Sequence, residues 1–399
     1  MPVKTIPASK VASRWYSKPA FRFTARFWGG LFTVYCGTNF VIIARRRRSK
    51  PQICDMLYRW FLRPFLFRFP AEKAHHMTFS LLGIAQRLPG MLSIIRKFNQ
   101  PSQANGVELL GIKFPSRVGL AAGLDKDAKA VNAFGAMGFG FIEVGTVTPK
   151  PQVGNPQPRL FRLPQDLALI NRMGFNNEGL EAMLTRLKSV DPRIVVGGNI
   201  GKNKDTPNEK AHEDYVTCVR GLKGLVDYLV VNLSSPNTPG LRELQDKGPL
   251  MHLLAEVMKE NGIGGHQVPV FLKVAPDITF GQADDIIDVA TSTGISGLIV
   301  SNTTISREGL TTSSDEIEKI GLGGLSGKPL MGKSTELLRY FKSRVPSNMV
   351  LIASGGIMNA KDAHEKIEAG ASLVQLYTGF VYEGPSLVKS INKLLSANC

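Results

Sequence analysis

The chain has 399 residues, 43% of them hydrophobic and 20% charged, with 40 Gly, 24 Pro and a formal net charge of +17. This composition excludes a disordered chain, a collagen-like repeat and a coiled coil, and the length allows one large domain plus something smaller. The charge is concentrated: residues 1–54 carry eleven Lys/Arg and no Asp or Glu, which leaves +6 for the remaining 345 and removes the compositional case for nucleic-acid binding by the main body.

In chain order, residues 1–26 are basic, Ser-bearing and free of acid, the composition of a mitochondrial transit peptide. Residues 27–44 run 18 positions without a charge between Arg26 and Arg45. As a helix they would reach about 27 Å, so they are read as a single N-terminal transmembrane helix. Arginines on both sides leave its orientation unreadable. Residues 55–98 are predicted as a two-helix module. In its second helix Ala74, Met77, Leu81, Ala85 and Leu88 recur at helical spacing; the first is apolar nearly all round and carries Pro64. A helix apolar on more than one face calls for two apolar neighbours, such as the main domain and a lipid surface or lipophilic ligand.

Residues 105–399 alternate short apolar runs with helical patterns. The runs are Val118–Leu120, Phe139–Val147, Ile194–Ile200, Tyr228–Leu233, Val268–Val274, Leu298–Val300, Val350–Ala353 and Leu373–Leu376. Continuous apolar strands separated by helices indicate a parallel sheet covered on both faces, and eight of them predict an α/β chain with a (β/α)8 TIM barrel. No G-x-G-x-x-G occurs, which weighs against a dinucleotide-binding domain. Gly327 to Ser334 satisfies the Walker A pattern, but residues 316–326 before it read as no strand, so a nucleotide triphosphatase is set aside. Cys36, Cys54, Cys218 and Cys399 lie far apart and no HExxH occurs, so neither a disulfide scaffold nor a metal site is expected.

Barrel chemistry sits at the C-terminal ends of the strands. There the sequence offers amides, hydroxyls and two lysines, and no His. Asn171, Asn199, Asn232, Asn237 and Asn302 suit a planar ligand with several C=O and N–H groups, and Lys126 suits an anionic one. Gly327 and the glycines ending strands 7 and 8 would let backbone N–H groups approach a phosphate. A phosphate with a planar polar ring points to FMN, whose reduced form a lysine would stabilise. Two other readings stay open: a barrel lyase or isomerase using Lys126 or Lys273 as a Schiff base, and a non-catalytic membrane-tethered binding protein. A yellow purified protein would separate the flavin enzyme from both.

The segments AAGLDKD, GFGFIEVGTVTPKPQ, INRMGFNN, VNLSSPNTPGLR, FLKVAPD, VSNTT, GGLSGKPL and ASLVQLYTG resemble the class 2, membrane-associated dihydroorotate dehydrogenase family from about residue 55 onward. The resemblance implies FMN-dependent oxidation of (S)-dihydroorotate to orotate with ubiquinone as acceptor, the fourth step of pyrimidine biosynthesis. It also implies a single-pass protein of the mitochondrial inner membrane facing the intermembrane space, with no nucleic-acid or obligate protein partner. Ser235 matches the catalytic base; class 1 relatives have Cys there. Lys126, Asn171, Arg172, Met173, Gly174, Phe175, Asn232, Asn237, Asn302 and Thr303 match positions around the substrate. Ala121, Ala122, Gly123, Leu124, Asp125, Thr146, Asn199, Asn232, Lys273, Ser301, Gly327, Gly356, Tyr377 and Thr378 match FMN contacts. His75 and Arg162 match the lining of a quinone tunnel in the 55–98 module. A serine is a poor base unaided, and Thr238 or a water is the expected relay.

Overall fold

The computed structural model describes residues 22–27, 30–35, 58–99, 106–238 and 240–397. Met1–Gln52 and Ile53–Cys399 form two separate compact units.

The first unit corrects the expected transmembrane helix. Strand β1 (Arg22–Phe27) pairs antiparallel with β2 (Gly30–Tyr35), so Phe27 and Gly30–Tyr35 of the 27–44 run lie in a hairpin. The physical reason is readable afterwards. Phe23, Thr24, Phe27, Phe32, Thr33, Val34 and Tyr35 are β-branched or aromatic, whereas Gly29 and Gly30 weaken any helix and favour a tight reversal. The remainder of 1–26 and of 27–44 lies outside the described residues. Among the described residues no single helix is long and apolar enough to cross a membrane.

In the second unit a turn of π-helix at Tyr58–Leu62 leads into α1 (Arg63–Phe67), with Pro64 in its first turn where a missing N–H costs nothing. Helices α2 (Ala71–Arg87) and α3 (Met91–Asn99) follow, bent 108° to each other at Leu88-Pro89-Gly90. α2 is tied to the main body by Glu72, whose carboxylate accepts from Arg159 Nε at 3.0 Å and Nη2 at 2.7 Å. Both side chains are about nine-tenths buried, and removing one partner of such a pair typically costs about 3–5 kcal/mol. Phe79 of α2 meets Phe134 with ring centroids 5.9 Å apart.

A short hairpin of β3 (Val107–Leu109) and β4 (Ile112–Phe114) precedes the barrel. The barrel strands are β5 (Val118–Leu120), β6 (Phe141–Val147), β9 (Val195–Ile200), β10 (Tyr228–Asn232), β11 (Val270–Val274), β12 (Gly297–Val300), β14 (Val350–Ser354) and β15 (Leu373–Leu376). All pair in parallel, and β15 returns to β5, closing the cylinder. Their bounds lie within two residues of the runs read from the sequence. The missing pair, β7 (Leu160–Leu163) and β8 (Ala168–Asn171), joins β13 (Gly324–Gly327) in an antiparallel sheet outside the barrel. β13 also falls where no strand was expected, in 316–326.

Phe114 closes the end of the barrel at which the strands begin, packing edge-on to Phe141 beside Tyr228 and Phe271. The opposite end stays open, and the sequence-predicted side chains converge there.

Candidate functional site

A cleft of about 1010 Å³ opens at the C-terminal ends of the strands. Ala121, Ala122 and Gly123 follow β5, Thr146 ends β6, Asn232 ends β10, Lys273 lies on β11, and Ser301, Asn302 and Thr303 follow β12. Asn171 ends β8, Met173, Gly174 and Phe175 enter from the segment after it, and Ser235 and Asn237 from the loop after β10. Gly327, Gly356, Tyr377 and Thr378 line the far side, and Lys126 the near side. Six named side chains lie elsewhere. Asp125 and Asn199 are fully buried behind the wall, Arg172 points outward, and Leu124, His75 and Arg162 face other cavities.

The amides hold one another in register. Asn237 Nδ2 donates to Asn171 Oδ1 at 3.2 Å, and Asn302 Nδ2 to Ser234 Oγ at 2.9 Å. Asn232 Nδ2 donates to Thr146 Oγ1 at 2.9 Å, while Thr146 Oγ1 donates to Asn199 Oδ1 at 2.6 Å. Asn199 thus supports the two residues in front of it. Lys126 Nζ donates to Asn176 Oδ1 at 2.8 Å, and burial pushes its ammonium down to about 8. Ser235 is buried and its Oγ accepts from the Asn237 N–H at 3.3 Å. Asp125 spends both oxygens on backbone, accepting from the N–H groups of Lys129 (2.7 Å) and Ala130 (2.8 Å), and so shapes the turn that presents Lys126. Arg172 donates to the Pro158 carbonyl at 3.0 Å and to those of Ile320 and Leu322, tying β8 to the segment before β13.

The far side has the form of a phosphate cradle. Gly356 has φ +81°, and a Cβ there would lie 2.3 Å from Met331 Cα; at Gly327 (φ +102°) it would lie 2.3 Å from the Leu167 carbonyl oxygen. Only glycine fits at these two positions. Ser326 and Thr378 share a hydrogen bond at 2.8 Å beside them. Glycine turns, hydroxyls and planar amides together form a lining that suits a phosphate-bearing planar ring. The Walker-like lysine, Lys333, is instead paired with Asp277 at 2.8 Å.

Next to the cleft lies an apolar cavity between α1, α2 and the barrel, bounded by Leu66, Ala74, Phe79, Leu82, Phe134 and Phe380. His75 and Arg162 supply its polar points. Burial, then the Lys126 charge, push the His75 imidazole down to about 3, so it is neutral at physiological pH. Arg162 lies 4.4 Å over the Phe67 ring and donates to the Phe69 carbonyl at 2.8 Å. Tyr377 borders both the cleft and the apolar cavity.

A family model described as dihydroorotate dehydrogenase matches residues 105–398. The chain belongs to the dihydroorotate dehydrogenase family. It is an oxidoreductase of that family. A "dihydroorotate dehydrogenase (quinone)" of Christiangramia forsetii is 53% identical over 338 residues, covering 84% of this chain and 98% of the relative. One of the same name from Akkermansia muciniphila is 48% identical, with 84% and 95% covered. A crystal structure of DHODH from Eimeria tenella in complex with ferulenol superposes with a TM-score of 0.74 at 40% identity, covering 81% of this chain and 89% of that one. The mitochondrial single-pass placement expected from the sequence is corrected here. The two named quinone enzymes are bacterial, from cells without mitochondria, and the segment expected to anchor the chain contains a hairpin strand.

Two residues that sequence reasoning missed stand out. Glu143 lies inside the barrel behind the cleft and accepts a hydrogen bond from Gln375, which reaches the cleft. A signal for Glu143 was present, since an acid inside the apolar run Phe141-Ile142-Glu143-Val144 needs a partner.

Proposed function

We propose that this chain oxidises (S)-dihydroorotate to orotate on bound FMN and passes the electrons to a quinone. The observation that carries the reading is the polar, amide-rich cleft beside an apolar cavity, with Tyr377 lining both. Bound FMN would supply a two-electron acceptor for the hydride leaving substrate C6. Gly327, Gly356 and Thr378 would hold its phosphate, and Thr146, Asn232 and Lys273 its ring. Asn171, Asn237, Asn302 and Thr303 would orient the planar substrate, and Lys126 would bind its carboxylate. Ser235 removes the C5 proton, which leaves through Thr238 or a water. Electron pair and proton depart from adjacent carbons and a C=C bond forms.

The acceptor would enter the apolar cavity, with His75 and Arg162 meeting its carbonyl end. Trp60, Phe61 and Phe65 are 72%, 69% and 49% exposed, and Leu81 and Ile84 of α2 are more than half exposed. This apolar edge suits a lipid surface from which such an acceptor partitions.

An anaerobic absorption scan tests the reading. Flavin bands of the purified protein should bleach with dihydroorotate and return with a short-chain quinone. Ser235→Ala should keep the bands and slow the bleaching by roughly 10²-fold or more. Bands that never bleach with dihydroorotate would sink the substrate, and bands that recover only with NAD+ or fumarate would sink the acceptor.

A further inference from the structure

Glu143 occupies the middle of β6 and has no exposed surface. A carboxylate there is strongly disfavoured unless it is paired. Its Oε1 lies 3.4 Å from Lys273 Nζ and accepts from Asn199 Nδ2 at 2.8 Å; its Oε2 accepts from Gln375 Nε2. The four side chains come from β6, β9, β11 and β15 and meet inside the barrel. Lys273 and Gln375 reach the cleft, whereas Glu143 and Asn199 stay behind it. Tyr228 lies in the same layer; burial, then the Glu143 charge, hold its phenol well above the ordinary range, so it adds no charge.

Lys273 therefore presents a positive charge to the cleft with a carboxylate directly behind it. Reduction adds negative charge to a flavin ring. A lone buried cation beside the ring would hold that charge strongly, and a carboxylate on the cation opposes it, at short range and in a poorly polarisable interior. We propose that Glu143 is a positioning residue that sets the midpoint potential of the bound redox group. By pairing with Lys273 it keeps the potential low enough for the electrons to move on to the acceptor. The inference rests on the FMN reading. The same carboxylate fixes the Asn199 amide, which in turn bonds Thr146 and Asn232, so shape and charge must be separated by the experiment.

The measurement is the midpoint potential of the flavin-loaded protein, by spectroscopic titration against a reference dye without substrate. Glu143→Gln, which keeps size and hydrogen-bonding capacity but loses the charge, should shift the potential to more positive values. Glu143→Asp, which keeps the charge, should stay near the unaltered protein. An unchanged or more negative potential in Glu143→Gln, or equal shifts in both variants, would overturn the proposal. Should Glu143→Gln not retain flavin, Gln375→Glu adds a carboxylate to the same layer. A more negative potential there supports the rule, and an unchanged one overturns it. An unaltered protein that binds no FMN would instead remove the cofactor reading on which the inference rests.

Discussion

Lys366 carries a stability cost that depends on pH. It has no exposed surface, and its ammonium donates to Ser334 Oγ at 2.6 Å, Thr335 Oγ1 at 2.7 Å and the Met331 carbonyl at 3.3 Å, all near the start of the helix Met331–Lys342. Ser334 Oγ also donates to the Gly355 carbonyl at 3.2 Å, so Lys366 fastens that helix beneath the glycine turn of the cleft. Among the described residues no carboxylate bonds it, and the adjacent helix start is the positive end of the peptide dipoles. Burial, the largest influence, pushes its pKa down to about 7; the Glu365 charge works weakly the other way. In the unfolded chain the group stays protonated up to its ordinary value of about 10.4. Between those values the unfolded state binds the extra proton, so stability rises with pH. Relative to Lys366→Met, the unaltered protein should gain on the order of 4 kcal/mol between pH 7 and 10.5. Denaturant titrations across that range check it, and parallel curves for the two proteins would show that Lys366 is not the source.

At the scale of elements, α2 is the piece whose role can be isolated. Ala74 is buried on its inner face and borders the apolar cavity but not the cleft. Ala74→Trp should fill that cavity, lower quinone reduction by about tenfold or more, and leave flavin bleaching by dihydroorotate unchanged. Equal losses in both half-reactions would mean that the helix shapes the cleft as well. The eight barrel strands were legible because a strand covered on both faces is apolar at most positions. Lack of charge alone does not distinguish helix from strand, so Phe27 and Gly30–Tyr35, expected within a helix, lie in strands as their aromatic and β-branched residues favour. β7, β8 and β13 were not legible at all. β7 and β8 are four-residue strands paired locally within the segment between β6 and β9, and β13 pairs with β8 at residues more than 150 positions apart, such as Leu169 with Ser326, a meeting no local pattern encodes. The strand-end asparagines and Ser235 could be named from motif and position. That Asp125 turns inward to cap a loop and Arg172 outward to tie two segments depends on backbone directions that only the folded chain defines.

The barrel unit, Ile53–Cys399, has one end closed and a cleft and an apolar cavity away from it. Phe114 and its neighbours seal the end where the barrel strands begin, so ligands reach the interior from the opposite side. There the cleft and the apolar cavity share Tyr377, whose hydroxyl donates to the Gly123 carbonyl at 3.4 Å and whose phenol burial pushes up to about 12, keeping it neutral. On the proposed function, electrons pass this partition and the atoms of dihydroorotate do not. Traffic through one chamber then has no bearing on occupancy of the other, and the two half-reactions communicate only through the oxidation state they share. A compound lodged in the apolar chamber would slow re-oxidation, and the enzyme would accumulate in its reduced form. Steady-state kinetics should record this as equal proportional falls in kcat and KM for dihydroorotate, with kcat/KM untouched. A fall in kcat/KM would mean that the compound had crossed the partition.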